Sequence, residues 1–151
     1  VGIRREEDLI AATGDIVITQ LRNRVHEVVA VRPTWANSYL DSLSRRVQAA
    51  NTSRADVFVS LHFNAFNSSA ANGTEVFAIS SKGKAIARRV VNNIADLGYS
   101  NRGVKHKAFY VLRHTFMPAI LVEGCFISIW CDMNRFVADA MARAIVNGLL
   151  Q

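Results

Sequence analysis

Asp56-Val57-Phe58-Val59-Ser60-Leu61 runs without a break into His62, Phe63 and Asn64. A short apolar run of this kind reads as a strand buried on both faces, as in a parallel sheet. A second run, Pro118-Ala119-Ile120-Leu121-Val122, ends in Glu123 and Gly124 in the same way. Each run therefore delivers one ionisable residue to its C-terminal end. Open α/β sheets keep their ligand crevices at that end. A metal site suited to hydrolysis is the first expectation from this pair.

Outward from these runs, helical and extended periods alternate. Glu6 to Arg24 reads as a helix with Leu9, Thr13, Ile16, Val17 and Leu21 on one stripe, and Gly14 suggests close packing against a neighbour. His26 to Val31 reads as a short strand stopped by Arg32-Pro33, and Thr34 to Asp41 as a loop. Leu40, Leu43, Val47 and Ala50 mark a second helix, ended by Asn51-Thr52-Ser53. After the strand from Asp56 to Leu61 comes a polar loop from Asn67 to Gly73, then a strand from Thr74 to Ile79. Ser80-Ser81 caps a helix carrying Ile86, Val90, Val91, Ile94 and Leu97, and Gly98 stops it. Tyr99 to Lys107 reads as a basic loop, and Phe109 to Leu112 and Ile120 to Val122 as strands. Asp132 to Leu150 reads as one last helix with Phe136, Ala140, Ala144, Ile145 and Leu149 inward. Strands alternating with helices predict an α/β fold with right-handed crossovers and a mostly parallel sheet.

The 151 residues suit one domain with one core, and 50% hydrophobic against 20% charged residues is a globular balance. No apolar run approaches the ~18–20 residues of a membrane span, so the chain does not read as a membrane protein. The start, Val1-Gly2-Ile3-Arg4-Arg5-Glu6-Glu7, is polar and has no secretory h-region. Net charge is +6, which favours anionic partners in general. The basic residues are scattered in pairs such as Arg45-Arg46 and Arg88-Arg89, and no nucleic-acid module is present, so no nucleic-acid partner is expected. The two cysteines, Cys125 and Cys131, match neither a zinc knuckle nor a disulfide scaffold and read as free thiols.

Among single residues, Glu123 is the sharpest. A carboxylate directly after Ile-Leu-Val is poorly solvated unless it opens into a cleft, and its pKa should then rise, as suits a general acid or base. Gly124 would let the chain turn sharply there and bring another group close. His62 reads either as a hydrogen-bonded core histidine or as a ligand. The nearby Asn64 and Asn67 favour the latter, because polar groups clustered at a strand end are costly to bury unless something binds. Glu6 and Glu7 open the first helix, where acids ordinarily offset the helix dipole.

Five segments in order carry a family resemblance: Ser42-Leu43-Ser44-Arg45-Arg46 with Ala50-Asn51; Val59-Ser60-Leu61-His62-Phe63-Asn64-Ala65; Gly73-Thr74-Glu75-Val76-Phe77; Phe109-Tyr110-Val111-Leu112-Arg113; and Pro118-Ala119-Ile120-Leu121-Val122-Glu123-Gly124-Cys125-Phe126. From about Gly2 to Leu149 the chain resembles the zinc-dependent N-acetylmuramoyl-L-alanine amidases of the amidase-3 type, found among bacterial cell-wall hydrolases and phage endolysins. Asn64 to Ser80 looks most like cyanobacterial members.

The resemblance implies a single three-layer α/β sandwich over residues 1–151, with helices on both faces of the sheet. It implies zinc as cofactor and peptidoglycan as substrate, cut at the amide between the muramic acid lactyl group and L-alanine. It also implies an extracytoplasmic setting, in periplasm or cell wall, or delivery by a phage. His62 matches one histidine ligand of the family and Glu123 the catalytic glutamate. The glutamate ligand falls at Glu6 or Glu7, and the register of Gly14 and Val17 favours Glu6. The family's other histidine belongs to a Gly-His motif ending a first strand; His26, His106 and His114 all follow Glu6, so this motif and its strand are expected upstream of Val1. Asn64, Asn67 and Asn72 are candidates to hydrogen-bond sugar or peptide, and Arg102, Lys105 and Arg113 to meet stem-peptide carboxylates. Where family members usually carry Asn, Phe126-Ile127-Ser128 leads instead to Ile129-Trp130, which changes the rim of the cleft. Two other readings fit the same residues: a wall-binding pseudoenzyme with an incomplete metal site, and another zinc peptidase or deacylase.

Overall fold

Alternation along one central strand organises the molecule. In the computed structural model, which describes residues 3–68 and 70–151, that strand is β4 (Ala119–Phe126), buried on both faces. It lies between β1 (Phe58–Asn64) and β2 (Thr74–Phe77), and β3 (Asn101–Lys105) flanks β2, giving the order β1-β4-β2-β3. The β1/β4 and β2/β3 pairs are parallel and the β2/β4 pair is antiparallel. Gly2, where the resemblance begins, and Ser69, inside the Asn67–Gly73 loop, lie outside the described residues.

Successive strand residues point to opposite faces. Ile120 and Val122 of β4, Val76 of β2 and Phe63 of β1 face one core. There they meet Leu9 of α1 (Glu6–Asn23), Ala87, Val90, Val91 and Ile94 of α3 (Ser81–Ala95), and Met141, Ala144 and Ile145 of α6 (Ala138–Leu150). Ala119 and Leu121 of β4 and Phe58 of β1 face a second core with Val47 and Ala50 of α2 (Tyr39–Ser53) and Val111 and Leu112 of α4 (Tyr110–His114). Helices thus cover both faces of a mixed sheet, the three-layer α/β sandwich that the resemblance implies. Fully buried side chains such as Leu9, Ile94, Ile120 and Ile145 each contribute roughly 1.5–3 kcal/mol.

Four readings are corrected. Phe109 to Leu112 is not a strand. Phe109 O accepts from the backbone N–H groups of Leu112 and Arg113, and the helix α4 that follows buries Val111 and Leu112 in the second core, so packing overrides the β-leaning composition. The Tyr99–Lys107 segment is not all loop, because β3 lies in it and pairs with β2. His26 to Val31 pairs with no strand among the described residues; Val31 packs on the second core instead. Asp132 to Leu150 is two helices, α5 (Trp130–Arg135) and α6, because Phe136 is extended (φ −65°, ψ 123°) and turns its ring edge-on to Phe63 at 5.5 Å.

Two glycines also differ from expectation. A Cβ on Gly14 would meet nothing within 4 Å, so it marks no close packing. Gly124 does not turn the chain, since β4 runs on through it to Phe126. It does bring another group close, as expected: its lack of a side chain admits the Phe63 ring, which would lie 2.7 Å from a Cβ at this position. Cys125 is buried, Cys131 is exposed, and both are free thiols.

Candidate active site

Strand register sets three ionisable residues in one row. His62 on β1 is opposite Glu123 on β4, and Glu123 is opposite Glu75 on β2. Counting by twos from Phe58, Leu121 and Phe77 places all three side chains on the α2/α4 face. Just beyond the row, His62/Asn64 oppose Glu123/Phe126, so β4 carries the extra residue of a bulge. Bulges recur beside active sites because they re-aim side chains.

Glu6, the first residue of α1, reaches the β1 end of the row. Its Oε1 accepts from Phe63 N at 3.2 Å and lies 3.3 Å from His62 Nδ1. Ser60, two residues before His62 and so on the same face, places its Oγ 3.0 Å from His62 Nε2. The imidazole is thereby oriented at both nitrogens. Burial lowers its pKa against the opposing pull of Glu6, so the ring is held neutral, the form that ligates metals. Glu7 points elsewhere and pairs with Arg5.

Glu123 has one buried carboxylate oxygen, Oε2, with no hydrogen-bond partner among the described residues. Burial first, then the charges of Glu6 and Glu75, push its pKa up to about 8. Such an orphaned oxygen costs on the order of 1–3 kcal/mol and is retained where something binds or reacts.

Glu75 was not singled out from the sequence, and it is the most buried acid of the row at 4% exposure. Arg102 Nε donates to its Oε2 at 2.9 Å, Lys105 pairs with the same oxygen, and Asn64 Nδ2 donates to its Oε1 at 3.1 Å. Burial alone would raise its pKa, but the two cations and their hydrogen bonds outweigh it and hold the carboxyl below its usual range. The available signal was an acid inside a strand with Arg and Lys on the next strand. Asp132, fully buried, was also missed as a site residue. Its Oδ2 accepts from Gly73 N and Phe126 N, both at 2.9 Å, tying the start of β2 to the end of β4.

The other candidates fall in different places. Arg102 and Lys105 are engaged by Glu75. Asn64 Oδ1 accepts from Ala65 N, so its amide is used within the site wall. Asn67 lines a groove with Phe66 and Trp130 beyond the strand ends. Asn72 donates to Ala70 O. Arg113 is not brought to the row; it lines a groove with Lys82, Pro118 and Ala119 at the opposite end of β4.

The pair Glu6 and His62 fits a metal in part. Two donors 3.3 Å apart match the edge of a tetrahedron with ligands at 2.0–2.1 Å, about 3.3–3.4 Å. Carboxylate and imidazole are donors that zinc takes. Among the described residues no third His, Cys, Asp or Glu joins them.

Comparison with known proteins meets this geometry. The family model described as N-acetylmuramoyl-L-alanine amidase matches residues 1–151. N-acetylmuramoyl-L-alanine amidase LytC of Bacillus subtilis is 37% identical over 122 residues, covering 75% of this chain and 25% of LytC. This chain therefore spans about a quarter of that relative's length. The catalytic domain of CwlV, an N-acetylmuramoyl-L-alanine amidase from Bacillus (Paenibacillus) polymyxa var. colistinus, superposes with a TM-score of 0.84 at 32% identity, covering 99% of this chain and 87% of that one. N-acetylmuramoyl-L-alanine amidase AmiC2 of Nostoc punctiforme gives 0.82 at 31% identity, covering 96% and 83%. With its family model matched from end to end, the chain belongs to the N-acetylmuramoyl-L-alanine amidase family.

Proposed function

We propose that this protein hydrolyses the amide bond between the lactyl group of N-acetylmuramic acid and L-alanine in peptidoglycan, with zinc as its cofactor. The observation that carries the reading is the row itself: an imidazole 3.3 Å from a carboxylate, beside a glutamate with an unpartnered buried oxygen among the described residues. Peptidoglycan lies outside the cytoplasmic membrane, so the site of action is periplasm or cell wall, or a host wall if the protein is a phage lysin. No helix of the described residues is long and apolar enough to cross a membrane.

Glu6 and His62 would hold the zinc. Zinc in such a site supplies Lewis-acid activation of water and of the scissile carbonyl. Ser60 fixes the His62 ring, and Phe63 N fixes Glu6. Glu123 Oε2 has no competing partner, so it is free to take the proton of the attacking water. The carbon–nitrogen bond then breaks, and Glu123 returns that proton to the departing L-alanine amine. Its raised pKa suits the return step. Charge neutralisation at Glu6 relieves one of the two like charges that hold the proton on it and so suits the first step. Glu75, itself clamped by Arg102, Lys105 and Asn64, stays ionised and takes no part in the proton exchange.

Two substitutions test the roles. Glu123→Gln should lose about 10²-fold or more of the activity on purified peptidoglycan while zinc content stays at the parent level. His62→Ala should lose zinc in elemental analysis. Parent-like activity in the first removes Glu123 from the mechanism, and full zinc occupancy in the second removes His62 from the ligand set.

A further inference from the structure

Past the row, the two strands that carry His62 and Glu123 lead into loops that are locked together. Ile127 N donates to Asn64 O at 2.8 Å. Ser128 Oγ accepts from Phe66 N at 3.0 Å and donates to Phe66 O at 2.8 Å. The loop after β1 and the start of α5 present two large aromatic side chains to solvent, Phe66 at 60% and Trp130 at 71% exposure. Between them lies a groove of about 610 Å³, lined also by Asn67 and Ile129. That size falls among ligand sites, which span about 300–1,000 Å³. Phe66 is four residues beyond His62, so its backbone lies at most about 14 Å from the row.

The chemistry of the lining selects a class of ligand. None of the described residues around the groove carries a charge, on a chain with 18 basic and 12 acidic residues. The stem-peptide carboxylates would find no cation there. Flat aromatic faces with one amide match a neutral sugar, whose ring offers apolar C–H faces and whose N-acetyl group offers both a donor and an acceptor. Exposed aromatics held on pinned loops also bind at low cost in ordering.

We propose that the Phe66–Trp130 groove is a glycan subsite, taking neutral N-acetylhexosamine units of the strand whose muramoyl residue sits at Glu123. Its placement beside that residue rests on the amidase reading, whereas its affinity for neutral sugar stands apart from it. The test is calorimetric titration of the protein with a tetramer of β-1,4-linked N-acetylglucosamine, alongside Phe66→Ala and Trp130→Ala. Saturable binding is expected, weakened about tenfold or more in Trp130→Ala. Both side chains are exposed, so thermal stability should stay at the parent level. Trp35 is the other of the chain's two tryptophans, so a Trp35→Phe protein reports Trp130 alone, and its emission should shift on titration. On substrate, Trp130→Ala should raise KM for long glycan strands. Absent binding by the parent, or equal binding by parent and both variants, overturns the proposal. A protein that cuts the amide but ignores the tetramer refutes the groove alone. One that binds the tetramer through Trp130 yet never cuts refutes the amidase reading and keeps the groove.

Discussion

Glu123 shows how position alone changes the proton affinity of a carboxylate. Its folded-state pKa is pushed up to about 8, against an ordinary value of 4.5. The unfolded chain releases this proton near the ordinary value, while the folded chain keeps it until about 8. Between those limits the folded state binds more protons, so this group makes stability fall as pH rises. Thermal melts of metal-free protein should therefore show Glu123→Gln gaining on the parent from about pH 5 to about pH 8. A constant difference between the two melts across that range contradicts the account. Glu75 has the opposite sign, adding stability above its ordinary value that is lost as the solution is acidified. His62 and Glu123 were legible in the sequence because each ends an apolar run. Glu75 was not, because its burial depends on β2 lying antiparallel to β4 and on cations from β3.

At the scale of elements, two contacts decide whether the row stays aligned. Asp132 bridges the start of β2 and the end of β4 through Gly73 N and Phe126 N. Asp132→Ala should leave both buried N–H groups unpaired and cost about 2–4 kcal/mol in denaturant melts, whereas Asp132→Asn, which keeps an acceptor, should cost less. Equal stability of all three proteins removes the bridge from the account. On the far face, a Cβ at Gly148 would lie 2.5 Å from Val90 Cα, so α6 lies directly against the α3 backbone. Gly148→Ala should cost about 1–3 kcal/mol or more, since backbone cannot step aside as a side chain can. A parent-like melting temperature would contradict that packing. The long, strongly periodic elements α1, α2, α3 and β1 were legible, with ends shifted by a few residues. Of the short ones, β2 was legible and α4 was not: Phe-Tyr-Val-Leu at 109–112 has the composition of a strand, and only the surface it meets makes it a helix.

Over the whole molecule, strand order turns separate sequence signals into one site. The α/β class followed from alternation of periods and the helices on both faces from the family resemblance, but the antiparallel placement of β2 beside β4 was in neither, since no local pattern encodes it. That placement brings Glu75 to the row, while the parallel pairing of β1 with β4 leaves the segments after them side by side, where Phe66 and Trp130 are displayed. Arg113 lies at the other end of the same sheet, so a charge scan along the sequence could not sort the cations near the site from those remote from it. The central claim, cleavage of the muramoyl–L-alanine amide, is tested most directly by analysing the products of peptidoglycan digestion. The account predicts new amino termini that are all L-alanine, with no new reducing sugar ends. Released peptides that begin with any other residue, or new reducing ends without free L-alanine termini, would contradict it.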